Sequence, residues 1–172
     1  MRKFRRKKQP NMDGINLLVS ILVCYPEIGT VSFEPKDDTL HFSFPFREVP
    51  SKEAFEATGQ FIKESIQAYH ALEGFFNGQI GMTLEAQGNT AFFHIVRDVY
   101  TLSRGEIGLI STLMREHFGK LLILDQERDA DMEADAAQGD AIDHMIGNLK
   151  INRVTDKMIG VRENGRVMVF NK

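Results

Sequence analysis

One order of elements, strand, turn, strand and then helix, occurs twice in this chain, and that repetition limits the folds open to it. The first copy runs from Ile28 to about Glu73 and the second from Ile80 to about Leu122. Both open on Ile-Gly, at Ile28-Gly29 and Ile80-Gly81, and each first strand ends near a glutamate, Glu34 or Glu85. Polar turns follow, Pro35-Lys36-Asp37-Asp38 and Ala86-Gln87-Gly88-Asn89, before Thr39 or Thr90 opens the return strand. The return strands alternate with a period of two, so successive side chains fall on opposite faces. Leu40, Phe42, Phe44 and Phe46 share one face of the first; Ala91, Phe93, Ile95 and Val99 share one face of the second.

A serine precedes each helical pattern, Ser51 or Ser103, and its hydroxyl can accept an orphan amide of the first turn. Glu106 stands three residues after Ser103, the spacing of a capping box. The helices align as well, Phe61 to Ile66 against Leu113 to Phe118, at a spacing of 51 measured at the threonines and 52 at the serines. The spacing of Phe55, Ile62, Ile66 and Tyr69, and of Ile107, Ile110, Met114 and Phe118, gives each helix one apolar face. Phe42 and Phe93 are expected at matching buried sites beneath the two helices. Gly119 is placed to end the second helix, and Leu121 to Leu124 reads as a short buried strand.

The flanks are different in kind. Ile15 to Tyr25 is an apolar run about half as long as a membrane span requires. Asp13, Asn16, Ser20 and Glu27 form a narrow polar stripe along it, which predicts a packed helix with one polar edge. Asp125 to Asp143 is acidic and leads into a helix from about Asp131 to Lys150, with Ile142, Met145, Ile146 and Leu149 apolar. Asn164-Gly165 then predicts a two-residue hairpin turn, since both positions tolerate positive φ. That turn pairs Glu163 with Arg166, Val161 with Met168 and Ile159 with Phe170, and the last four are expected to pack on the body, against Ile142 and Met145.

The expected fold class is therefore α/β (α+β): an antiparallel sheet from two ββα repeats, preceded by an N-terminal helix and followed by a helix and a C-terminal β-hairpin. Residues 1–10 are read as a basic disordered arm. A core of 11–124 holds the two ββα units (28–73 and 80–122). Residues 125–172 form an acidic linker, helix and hairpin packed on that core. At 172 residues and 42% hydrophobic content, the chain can bury one sizeable core. The order of elements is similar to that of small bacterial secretion chaperones, although it lacks one strand of their first sheet segment and carries no motif that matches theirs. That resemblance implies an acidic α/β dimer that holds another protein.

Charge divides the chain unevenly. Arg2, Lys3, Arg5, Arg6, Lys7 and Lys8 supply six of the 21 basic residues, so the remainder carries 15 against 24 acidic groups, a net of −9. Such a body repels polyanions, and only the arm attracts nucleic acid or another anionic partner. Cys24 is the single cysteine, which fits a reducing, cytoplasmic location. No nucleophile elbow, phosphate loop or His-Glu-x-x-His occurs. Asp129, Asp131, Glu133, Asp135 and Asp140 approach the spacing of a calcium loop, but Ala134 stands where the loop's sharp turn demands glycine. His70, His117 and His144 lack partners at metal spacing. His41, Ser43 and His94 project from the polar faces of the return strands and form the candidate sheet-surface cluster. The expectation is thus a non-enzymatic protein-binding or self-associating module, with a protein partner or homo-oligomer, no metal or cofactor and no transmembrane segment. A nucleic-acid-associated protein acting through the arm is the alternative, and an uncharacterised hydrolase the third reading.

Overall fold

The computed structural model describes residues 12–74, 78–124, 132–152 and 154–171. Its elements follow in the order α1 (Met12–Cys24), β1 (Thr30–Glu34), β2 (Thr39–Phe46), α2 (Lys52–Glu73), β3 (Ile80–Gln87), β4 (Thr90–Asp98), α3 (Arg104–Phe118), α4 (Met132–Ile151), β5 (Met158–Glu163) and β6 (Arg166–Asn171). The six strands form one sheet in the order β3-β4-β2-β1-β5-β6, with every neighbouring pair antiparallel. The mixed α+β architecture, the N-terminal helix and the C-terminal hairpin are those the sequence predicts. The basic arm, with Arg2, Lys3, Arg5, Arg6, Lys7 and Lys8, lies outside the described residues, as do Asp129 and Asp131 of the acidic calcium-like stretch.

Alternation decides which face of the sheet is covered. Leu40, Phe42, Phe44 and Phe46 of β2 and Ala91, Phe93 and Ile95 of β4 are all buried beneath helices. Phe93 sits at the middle of an aromatic cluster. Its ring centroid lies 5.1 Å from Phe55 of α2, 5.9 Å from Phe118 of α3 and 6.1 Å from Phe46. Leu17, Leu18, Ile21 and Leu22 of α1 are fully buried against the β1–β5 side of the sheet and against α4. Caps set the helix ends. Ser51 Oγ accepts from the Ala54 amide at 3.1 Å, and Ser103 Oγ from the Glu106 amide at 3.3 Å. Gly74 ends α2 at φ 81°, where its amide reaches the Ala71 and His70 carbonyls. Gly119 ends α3 with right-handed φ −53°. There glycine is required for space, since a Cβ would strike the Arg115 carbonyl oxygen.

The two ββα units meet back to back. Strands β2 and β4 pair at the centre, with Ser43 directly opposite His94. The 51-residue offset that aligns Thr39 with Thr90 also carries Ser43 onto His94. A local two-fold relation between the return strands therefore passes between these two residues. In the outer strands the offset differs, because Thr30 opposes Ser43 while Thr83 opposes His94. Thr30 and Thr83 are 53 apart, so the Ile-Gly dipeptides expected to correspond are one residue out of step. The cause is turn length, four residues between β1 and β2 and two between β3 and β4.

Three further expectations are corrected. The β5–β6 register is as predicted, with Glu163 opposite Arg166, Val161 opposite Met168 and Ile159 opposite Phe170, and positive φ at Asn164 (51°) and Gly165 (74°). Its buried face is the opposite one: Met158 and Gly160 face inward and Val167 and Val169 pack on the core. The reason is α1. A Cβ on Gly160 would lie 3.1 Å from Leu22 Cδ1 and 3.3 Å from Leu18 Cβ, so the missing side chain is what lets α1 settle on β5. Arg162 shares that face because its guanidinium donates to the Pro26 carbonyl at 2.7 Å, beyond the end of α1. The polar stripe of α1 is an exposed edge only in its first half. Asp13 and Asn16 are exposed, with Asp13 accepting from Asn148 of α4 at 3.1 Å, whereas Ser20 is buried and Glu27 lies in the α1–β1 connection, buried and paired with Arg115 of α3. Leu121 to Leu124 is not a strand: only Leu122 forms a bridge, with Phe46.

Candidate functional site

The face of the sheet away from the helices carries the candidate cluster. Ser43 and His94 point outward from the two central strands, and Ser43 Oγ lies 2.7 Å from His94 Nδ1. On its other side His94 Nε2 lies 2.8 Å from Glu85 Oε2 of β3. A carboxylate can only accept, so the neutral imidazole carries its proton on Nε2 and Nδ1 accepts from the Ser43 hydroxyl. Hydroxyl, imidazole and carboxylate thus form one hydrogen-bonded line across three strands. The Gln87 side-chain amide and His94 hold the Glu85 carboxyl below its ordinary value, so it stays ionised near neutral pH. The Phe92 ring stacks beside His94 at 6.2 Å and 18°.

His41 does not join this line. Its Nε2 meets Thr39 Oγ1 at 3.0 Å on its own strand. Burial lowers the His41 imidazole below its ordinary value, against the opposing pull of Glu34. The expected triplet is therefore two residues that meet, Ser43 and His94, one that does not, and a carboxylate that strand alternation alone did not single out. Glu85 was legible only as a strand end, because locating it beside His94 requires the β3–β4 register.

A serine, histidine and glutamate in line invite comparison with acyl-transfer catalysis. Such chemistry needs donors aimed at a developing oxyanion and a recess for the reacting carbonyl. Ser43 lies on an interior strand flanked by β1 and β4, whose amides are taken up by the sheet. The line also runs across an open sheet surface. What it offers is a directional set of polar contacts. On the same face Pro45, Phe92 and Val96 are half-buried beside it, and beyond Thr30 and Ser32 of β1 lie half-buried Ile159 and Val161, with Met168 37% and Phe170 52% exposed.

A second polar constellation lies inside the protein. Arg97 occupies the inward position after Ala91, Phe93 and Ile95 and is wholly buried. Its Nε donates to Glu106 Oε2 at 2.6 Å and its Nη2 to Glu106 Oε1 at 2.8 Å, a bidentate pair. Nη1 reaches Asp98 at 2.8 Å and the Gln79 carbonyl, and Nη2 reaches Thr101 Oγ1 at 2.9 Å. His70, also buried, sets Nε2 against both Arg97 and Glu106. Burial would raise the Asp98 carboxyl, but Thr101 and Arg97 outweigh it and hold it below its ordinary value. This set ties the end of β4 to the start of α3 and the end of α2. Sequence reading placed Glu106 in a capping box, yet its carboxylate is taken up by Arg97. The sequence assigns His70 no partner at metal spacing, and its four-residue spacing from Ile66 puts it on the inward face, where the register brings it to Arg97 and Glu106.

Among the described residues no group of three or more His, Cys, Asp or Glu could hold a metal ion, and no helix is long and apolar enough to cross a membrane. Compared with family models, curated proteins and solved structures, the chain matches none.

Proposed function

We propose that this protein is a non-enzymatic cytoplasmic module that binds another protein or itself. The observation that supports the binding of another protein is the open sheet face, where exposed Phe170 and Met168 adjoin half-buried Ile159 and Val161. An antiparallel sheet can leave one face to water when that face is polar. Here the β5–β6 portion is apolar, and large side chains grouped on a surface favour contact with a partner. The Ser43–His94–Glu85 line on the same face supplies polar contacts that would fix a partner's orientation. The paired ββα units are most simply read as a duplication.

The test compares affinity capture from the native source by the intact chain and by a Met168→Ser/Phe170→Ser variant. A partner retained by the first and lost by the second, with circular dichroism unchanged, is the expected result. Equal capture by both would sink the reading. A second reading, nucleic-acid association, draws on the six basic residues among the first eight. It requires RNA or DNA binding that weakens steeply with salt and disappears when residues 2–8 are deleted.

A further inference from the structure

We propose that two copies of this chain pair through β3, continuing the sheet across a two-fold axis. The proposal rests on the self-association half of the reading above and names the surface that serves it. Among the described residues β3 is an edge of the sheet. Edge strands of natural proteins are commonly blunted by lysine, proline or a covering element. The eight residues of β3 contain neither lysine nor proline. Their inward side chains are also under-covered: Ile80, Met82 and Leu84 are half-buried, whereas Ala91, Phe93 and Ile95 on the neighbouring strand are fully buried. The helical layer stops short of the edge and leaves a groove between α2 and β3, with Phe55, Gly59 and Met82 along it and Glu56, Gln60 and Lys63 at its side.

A second copy fits this edge in one register better than in others. Opposed residues in an antiparallel ladder lie on the same face. Inward residues must therefore meet inward residues. Placing Thr83 on the axis pairs Met82 of one copy with Leu84 of the other, Ile80 with Ala86, and Gly81 with Glu85. All residues from 80 to 86 are then paired, and Glu85, the only charged residue of β3, faces a glycine rather than its own copy. The helices agree with that axis. Glu56, Gly59, Gln60 and Lys63 fall on one stripe of α2, and Met82 Sδ lies 3.6 Å from where a Gly59 Cβ would be, one residue from Thr83. An antiparallel neighbour centred there brings exposed Glu56 against exposed Lys63, twice, by symmetry. The surface is thus complementary to itself in both charge and side-chain parity, as an isologous interface must be.

The full-length protein should sediment at equilibrium with twice the 19.5 kDa mass of one chain. Thr83→Lys sets two ammonium groups against each other on the axis and should give monomers of unchanged helix content, since Thr83 is exposed on the single chain, with a melting temperature that no longer rises with protein concentration. Glu56→Lys should weaken the dimer about tenfold, because two exposed ion pairs become like-charge contacts. The exchange Glu56→Lys/Lys63→Glu should restore it. A monomeric wild-type chain, a dimer that survives Thr83→Lys, or a double exchange no tighter than Glu56→Lys alone would each overturn the proposal. Partner capture through Phe170 is read separately, so failure of this interface leaves that test standing.

Discussion

Replacing Glu106 with glutamine tests whether the buried ion pair holds the molecule together or merely occupies space. The substitution keeps the side chain's size and one accepting oxygen but removes its charge. Arg97 would then be a fully buried guanidinium whose nearest remaining countercharge is Asp98, with a side chain 14% exposed. Breaking a buried pair from one side costs about 3–5 kcal/mol, because the surviving charge stays desolvated. Asp98 offsets part of that, which places the expected loss near the lower end, about 3 kcal/mol. The chain has no tryptophan, so urea unfolding is best followed by far-ultraviolet circular dichroism. The control is Arg97→Met/Glu106→Leu, which removes both charges and fills the volume with apolar atoms. It should recover part of the loss, since apolar replacement of a whole buried pair is often neutral or better. A Glu106→Gln midpoint equal to wild type, or a double variant less stable than the single one, would refute the account of Arg97 as a charge that depends on Glu106.

Phe93→Ala should cost about 3–5 kcal/mol by the same assay, because it empties the space shared by Phe46, Phe55 and Phe118; a loss under about 1 kcal/mol would mean that the helices close over the gap. Gly165→Val should cost about 1–3 kcal/mol, since a β-branched residue resists the φ of 74° held there, and loss of cross-strand contacts between Ile159 and Phe170 in nuclear Overhauser spectra would report it locally. Burial holds His41 below its ordinary 6.5, so the unfolded chain takes up this proton before the folded one. The corresponding stability is present above that value and is lost as pH falls through it. His41→Gln should flatten the fall in urea midpoint between about pH 7 and about pH 5, and an unchanged slope would show that His41 is not a source of it.

How far the sequence carries can be judged from β4. Alternation located Ala91, Phe93 and Ile95 on the buried face because each is apolar and the period is two. The same period puts Arg97 inward, but a charged residue there reads as the end of the pattern until its partner is known. That partner, Glu106, lies across a turn, and a capping role explains it equally well in one dimension. The C-terminal hairpin shows the converse. Turn chemistry at Asn164-Gly165 fixed the pairing of every residue, yet pairing is blind to which side meets the core. Gly160 looked like the weaker face, since it has nothing to bury, whereas its emptiness is what admits Leu18 and Leu22. Ser43 and His94 were legible as outward residues on matching strands. Glu85 needed the register of a third strand, which no local pattern supplies.

The placement of α1 also has a consequence for how the chain is made. Its four fully buried aliphatic residues are covered partly by α4 and β5, which are more than a hundred residues further along. During vectorial synthesis the ββα units can emerge and assemble first, while α1 must wait with its greasy surface only partly sheltered until α4 and β5 leave the ribosome. Contacts so distant in sequence form late and slowly, and a waiting apolar helix is the kind of surface that chaperones engage. A helix made before the ββα units is therefore secured after them.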